Sequence, residues 1–378
     1  MRLLFNVLVF ATALFAGHAV AQQVSLKNTL QNKFFIGAAI NPSWVAADST
    51  RGALVKSQFN SISPESVLKW QPTEPQEGKF NFGAADEYVD FGTRNHMFVV
   101  GHTLVWHAQT PDWVFKGGNG NPADRETLLK RMRNHIHAVM GRYKGRIKSW
   151  DVVNEALNDD GSLRDSPWRK IIGDDYIDKA FQYAHEADPN AELFYNDYGI
   201  EIGPKRAGAV ALLRRLKASG VPITGVGIQE HIGLTWPSAQ IIDAAITAFG
   251  NLGLKVAITE LDVNVLPQRS NSLNADVGSS EAVDPSLNPY TAGLPQEVQQ
   301  QLANRYAELF GIYLRHCDSI ERITLWGVAD GVSWLNNWPI NGRTNYPLLF
   351  DRSLQPKPAY YALLNEVKAF SGRCAAAY

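Results

Sequence analysis

Glu155 and Glu260 each close a short apolar run, in WDVVNE at 150–155 and in ITELD at 258–262. A carboxylate at such a place is costly to bury unless it is paired or hydrogen bonded. Brought into one pocket, two of them supply the states that cleavage of a glycosidic bond requires. One is protonated and donates to the leaving oxygen; the other is ionised and attacks or activates water. Either glutamate alone reads equally well as a strand-end ion pair, since structural pairs perturb carboxylates too. Their company favours chemistry. Glu65, Ser66 and Lys69 follow the second apolar run, and His102, Trp106 and Gln109 close the third. Asn154 precedes Glu155, Gln229 and His231 end the sixth run, and Asp262 follows Glu260. Trp326, Asp330 and Trp334 follow the eighth. Tryptophan rings suit the C–H faces of a sugar, while Asn, Gln, Lys and His suit its hydroxyls; core packing is the other use of such rings.

These residues need a scaffold that gathers distant strand ends. Eight runs rich in β-branched and aromatic residues alternate with segments of helical period: 34–40, 59–63, 97–102, 147–153, 191–196, 223–229, 254–260 and 322–326. That alternation is the pattern of βα units around a parallel sheet. It predicts an α/β fold, a (β/α)8 TIM barrel whose C-terminal rim collects the polar residues. Leu128, Met132, Ile136 and Val139 form one helical stripe, and Val298, Leu302, Tyr306, Leu309 and Tyr313 another. Helix starts are expected at Asp48, at Asp174 and at Gly203-Pro204. Asp262 to Leu294 is polar and aperiodic, so it reads as an elaborated loop after the seventh strand. Asp276, Glu281 and Asp284 in it lack the ligand spacing of a calcium loop and read as a solvated acidic stretch.

The 378 residues, 45% hydrophobic and 19% charged, fit an ordinary globular chain and exclude a disordered one. Barrels of this kind run from about 200 to more than 400 residues as one domain, so a single catalytic domain is expected over residues 22–378. With 36 basic against 37 acidic residues and no basic stripe, no nucleic-acid partner is expected. Residues 1–21 combine Arg2, an apolar run from Leu3 to Gly17, and Ala19-Val20-Ala21. They read as a secretory signal peptide, which predicts a secreted protein, extracellular or periplasmic. The alternative is a retained anchor, but the run falls short of the roughly 20 residues a span needs. No membrane span is expected in the mature chain. Cys317 and Cys374 are the only cysteines, and whether they are bonded is left open. Neither CxxC nor HExxH occurs, so no zinc or other metal site is expected.

The ordered set HTLVWH at 102–107, WDVVNE at 150–155, GVGIQEH at 225–231, ITELD at 258–262, LWGVADGVSW at 325–334 and PLLFD at 347–351 resembles the family 10 glycoside hydrolases. The principal members of that family are endo-β-1,4-xylanases. The resemblance implies Glu155 as general acid/base and Glu260 as nucleophile, with His231 bonding Glu260 and Asp262 orienting His231. It implies Asn154 on the 2-hydroxyl of the sugar beside the scissile bond, and Lys69, His102, Trp106, Gln109 and Gln229 around the same subsite. Trp326 and Trp334 would form floor and wall, with Glu65 on the next sugar. Ser66 stands where the family usually has Asn, which implies a shortened or lost hydrogen bond in the second glycone subsite. The chain between Trp334 and PLLFD is longer than in plain members, and Trp338, Arg343 and Tyr346 are expected near the glycone side. His107 is expected beneath the pocket. His135 and His137, two apart on a helix, are expected to face different ways.

The implied reaction is retaining hydrolysis of internal β-1,4 bonds of xylan through a covalent glycosyl-enzyme intermediate. Xylan and xylo-oligosaccharides are the expected partners, no cofactor is expected, and a monomer is expected. Two other readings stay open at this stage. A β-1,4-glucanase on a related barrel uses the same carboxylate pair, and a carbohydrate-binding protein could keep the pocket without catalysis.

Overall fold

The computed structural model describes residues 24–46, 49–118, 120–269, 277 and 280–374. Its strands are β1 (Phe35–Ile40), β2 (Ser61–Pro64), β3 (Phe98–Trp106), β4 (Ser149–Asn154), β5 (Glu192–Asp197), β6 (Gly225–Ile228), β7 (His231–Gly233), β8 (Lys255–Asn264) and β9 (Ile320–Leu325). Every pairing is parallel. β1 lies between β2 and β9, and β6 pairs with β8, which closes the sheet into a barrel. The nine segments fill eight positions, because β7 resumes the line of β6 after Gln229 and Glu230. Glu230 there takes a left-handed φ of 56°.

All eight predicted runs are strands, with two instructive differences in extent. β3 reaches Trp106 and β8 reaches Asn264, each four residues beyond the predicted end. The polar residues that end the apolar runs were read as leaving the sheet. Parallel pairing instead continues through them, with Trp106 opposite Asn154 and His231 opposite Asp262. Glu260 and Asp262 therefore sit inside a strand, which fixes their backbone more firmly than a loop would.

Both predicted stripes face inward: Leu128, Met132, Ile136 and Val139 are buried in helix Arg125–Arg142, as are Leu302, Tyr306, Leu309 and Tyr313 in helix Gln296–Arg315, with Val298 partly buried. The caps differ from expectation. Ser49 caps helix Thr50–Gln58 through Gly52 N, and Asp48 lies outside the described residues. Asp174 pairs with Arg169, and Asp175, the residue at the N-cap of helix Tyr176–Ala187, spends its carboxylate on Arg125. Pro204 is in the first turn of helix Gly203–Ala218, as predicted.

Between β8 and Leu294 the described residues form only a single 3-10 turn at Pro285–Leu287. Glu281 and Asp284 face Arg269 at 3.8 and 3.3 Å, and Asp276 lies outside the described residues. This loop docks on the one after Trp334: Glu281 N donates to Pro339 O, Thr344 N to Asn288 Oδ1, and Tyr346 OH to Tyr290 O. Cys317 and Cys374 are joined in a disulfide, which ties the C-terminal tail beside the last barrel strand. No helix among the described residues is long and apolar enough to cross a membrane.

Trp150 packs over Gly101 on the neighbouring strand, where an added Cβ would lie 2.2 Å from its ring. Trp150 is 1% exposed and has nowhere to retreat. Overpacking of this kind costs roughly 1–3 kcal/mol. Gly101→Ala is therefore expected to lower the unfolding free energy by that amount in a urea titration; an unchanged midpoint would mean that the interior yields.

Candidate active site

Strands and their following loops place a cavity of about 160 Å³ at the C-terminal mouth of the barrel. It is lined by Glu65, Lys69, His102, Trp106, Gln109, Asn154, Glu155, Gln229, His231, Glu260, Trp326 and Trp334, with Val277 from the long loop. Of the residues expected around the sugars, Ser66, Trp338, Arg343 and Tyr346 are missing from this lining.

Glu155 is buried, and its carboxylate is held by three donors. Trp106 Nε1 lies 2.8 Å from Oε2, while Gln229 Nε2 and Asn154 Nδ2 lie 3.1 and 3.2 Å from Oε1. Burial pushes its pKa up to about 7, and the negative charges of Asp197 and Glu260 add to the rise; the donors oppose it. Of the two negative neighbours, Asp197 acts more strongly than Glu260. A proton is thus retained in the pH range where an ordinary glutamate has lost it.

Glu260 is equally buried and shifts the opposite way. Burial pushes it up, but His231 Nε2 at 3.3 Å, the charge of His102 and the amide of Asn196 outweigh that and bring it below its ordinary value. Burial alone would lower His231, yet Asp262 at 3.1 Å and Glu260 raise it to about 10, so it is a cation beside Glu260. Asp262 also accepts from Trp334 Nε1 at 2.7 Å, so one carboxylate orients both the histidine and the aromatic wall. His102 is oriented from below by Asp151 at 2.9 Å.

Asn196 joins the two glutamates. Its Nδ2 donates to Glu260 Oε1 and to Asn154 Oδ1, both at 2.8 Å, and Asn154 in turn donates to Glu155. Thr259 donates to Asn196 Oδ1, and Gly227 leaves room for it, since a Cβ there would fall 2.3 Å from that oxygen. The sequence reading missed Asn196 and Asp197. The rule that flagged the other strand ends, polar residues where an apolar run stops, applies to them as well.

Ser66 does not replace a missing sugar contact directly. Its hydroxyl donates to Asn41 Oδ1 at 2.8 Å, and Asn41 Nδ2 donates to Glu65, so Asn41 was a third omission. Trp338, Arg343 and Tyr346 do not line the cavity either. Trp338 stacks on Trp334 at 4.5 Å, Arg343 donates to Trp338 O, and Tyr346 bonds Tyr290; they brace the wall from behind. His107 lies edge-on to Trp106 outside the lining. His135 bonds Glu74 and stacks on Trp70 in the interior, while His137 faces Glu186 on the other side of the helix.

Because folding raises the pKa of Glu155, its ionisation costs stability. The penalty is absent below pH 4.5, where the carboxyl is neutral folded or unfolded, and complete above about pH 7. The gap between those values is worth about 3 kcal/mol at most. Glu155→Gln removes this titration, although its amide hydrogens meet the Trp106 donor at every pH. Between pH 4 and pH 8 the variant is expected to gain about 3 kcal/mol relative to wild type in denaturant titrations. Parallel stability curves would contradict the raised pKa.

Comparison with known proteins agrees with this arrangement. The sequence pattern of glycosyl hydrolase family 10 matches residues 25–366. Endo-1,4-beta-xylanase A of Xylanibacter ruminicola is 44% identical over 90% of this chain and 93% of its own. Among solved structures, a GH10 endoxylanase from a sugarcane soil metagenome superposes with a TM-score of 0.88 at 46% identity, covering 90% of this chain and 99% of that one. A mutant enzyme in complex with xylotriose superposes with a TM-score of 0.81 at 37% identity, covering 90% and 99%. The chain belongs to glycosyl hydrolase family 10.

Proposed function

We propose that this protein is an endo-1,4-β-xylanase, which cleaves internal β-1,4 bonds of xylan by retaining double displacement. The observation that carries the reading is one cavity holding two buried glutamates with opposite pKa shifts, Glu155 up and Glu260 down. Glu260 attacks the anomeric carbon while Glu155 gives its proton to the departing oxygen. A covalent glycosyl-enzyme forms, and the charge of Glu260 is lost with it. That charge is one of the influences holding Glu155 up, so its loss makes Glu155 a weaker acid holder and frees it to act as base on the incoming water. The His231–Asp262 pair keeps Glu260 ionised between turnovers.

Asn154, fixed by Asn196, is placed to bond the 2-hydroxyl, a contact that strengthens in the transition state. Trp326 and Trp334 flank the reacting sugar, Lys69, His102, Trp106, Gln109 and Gln229 surround it, and Glu65 takes the next unit. The xylan specificity follows from the family relatives, and the shared carboxylate pair is neutral on it. We also propose that residues 1–21 are a signal peptide, that residues 22–378 form the mature secreted domain, and that it acts as a monomer.

Three measurements test the reading. Proton NMR during xylan digestion is expected to show the β-anomer as the first product, and first appearance of the α-anomer would sink the double displacement. Glu260→Ala is expected to abolish release of reducing ends from xylan, and wild type is expected to act far faster on xylan than on carboxymethylcellulose. Comparable rates on the two would favour a glucanase, and binding of xylan without cleavage would favour a binding protein.

A further inference from the structure

Glu155 itself stands in the left-handed region, with φ 55°. For a residue other than glycine this conformation persists only where the surroundings over-determine it. The surroundings are specific. Glu155 N donates to Asn196 O at 2.8 Å, and Arg164 Nε donates to Glu155 O at 3.1 Å. The next two amides are held from β5: Ala156 N donates to Tyr195 Oη at 3.2 Å, and Leu157 N donates to Asp197 Oδ2 at 3.3 Å. The Tyr195 hydroxyl then donates to Asp197 Oδ2 at 2.5 Å, which joins the two holds into one. Tyr195 and Asp197 are wholly buried and neither lines the cavity.

We infer that Tyr195 and Asp197 are positioning residues of the acid/base: they clamp the backbone that follows Glu155 and set a fixed negative charge behind its carboxyl. The inference rests on the proposed function, in which Glu155 donates the proton. Glu155 is faced by negative Asp197 and Glu260, by positive Lys69 and Arg164, and by the Tyr198 hydroxyl. Asp197 is the stronger of the two negative neighbours. Asp197 in turn is faced by Lys205 at 3.1 Å, by Arg164, by Glu201, and by the Tyr176 and Tyr195 hydroxyls. Burial outweighs its partners and raises the Asp197 carboxyl above its ordinary value, while Lys205, Arg164 and the two donors to its carboxylate favour the charge. Glu260 is bonded instead by Asn196 and His231, and neither Tyr195 nor Asp197 holds it. The clamp therefore serves the group that must hold a proton and release it in a fixed direction.

Asp197→Asn keeps the size and an acceptor for Leu157 but removes the charge; Tyr195→Phe removes the bridging hydroxyl and keeps the charge. Each is compared with wild type on xylan and on a 2,4-dinitrophenyl xylobioside, whose leaving group departs without a proton, through kcat/KM against pH. With less negative charge nearby, Glu155 loses its proton at lower pH. Asp197→Asn is expected to move the basic limb on xylan down by about one pH unit. It is expected to slow xylan at pH 7 about fivefold or more while the aryl substrate stays within about twofold. Tyr195→Phe is expected to slow xylan selectively with the limb near its wild-type position, and this arm decides if Asp197→Asn does not fold. A limb unmoved in Asp197→Asn, or equal losses on both substrates in either variant, would overturn the clamp. A wild type that leaves xylan intact would overturn the proposed function instead.

Discussion

Two carboxyl groups share one buried cavity, and the rest of the site is arranged so that they do not share one protonation state. Burial alone treats them alike and pushes both pKa values up. The difference comes from what each faces. Glu260 meets a histidine that Asp262 holds as a cation, together with the amide of Asn196. Glu155 meets neutral donors and, behind them, the negative Asp197. An enzyme of this kind needs that asymmetry before substrate arrives, since a pair of like carboxylates would offer neither a good acid nor a good nucleophile.

The barrel supplies asymmetry by giving each glutamate a different strand environment. Glu260 lies within the long strand β8 and is aimed by the paired β7, which brings His231 opposite Asp262. Glu155 lies just beyond β4, at a left-handed turn held from β5. The side chain of Asn196 on β5 reaches Glu260 directly and Glu155 through Asn154, and it fits because Gly227 on β6 has no side chain. The two docked loops brace Trp334 through Trp338, and Asp262 ties that wall to the histidine, so the aromatic wall and the orientation of His231 beside Glu260 share a support.

Much of this was legible in the sequence because strand ends in a parallel barrel carry a simple mark, an apolar run that stops at a polar residue. The mark located Glu155, Glu260 and their visible partners, and the alternation of runs gave the barrel. It failed where a residue works on another residue and not on the substrate. Asn196 and Asp197 end their run like the others, but nothing in type or spacing says that they face two glutamates. Asn41 and Ser66 lie on different strands' ends, and their bond depends on register. Trp338, Arg343 and Tyr346 looked like sugar contacts because aromatic and basic residues in a loop near a site suggest them; packing of one loop on another turned them inward. Strand length was misjudged for a related reason, since hydrogen bonding between parallel neighbours continues past the point where hydrophobicity ends.

The division of protonation can be read directly. With carboxyl-labelled glutamate incorporated, carbon NMR of the free enzyme across pH, assigned through Glu155→Gln and Glu260→Gln, reports each titration. The account predicts Glu155 changing near pH 7 and Glu260 below 4.5. Two glutamates titrating together near 4.5, or in the reverse order, would contradict it.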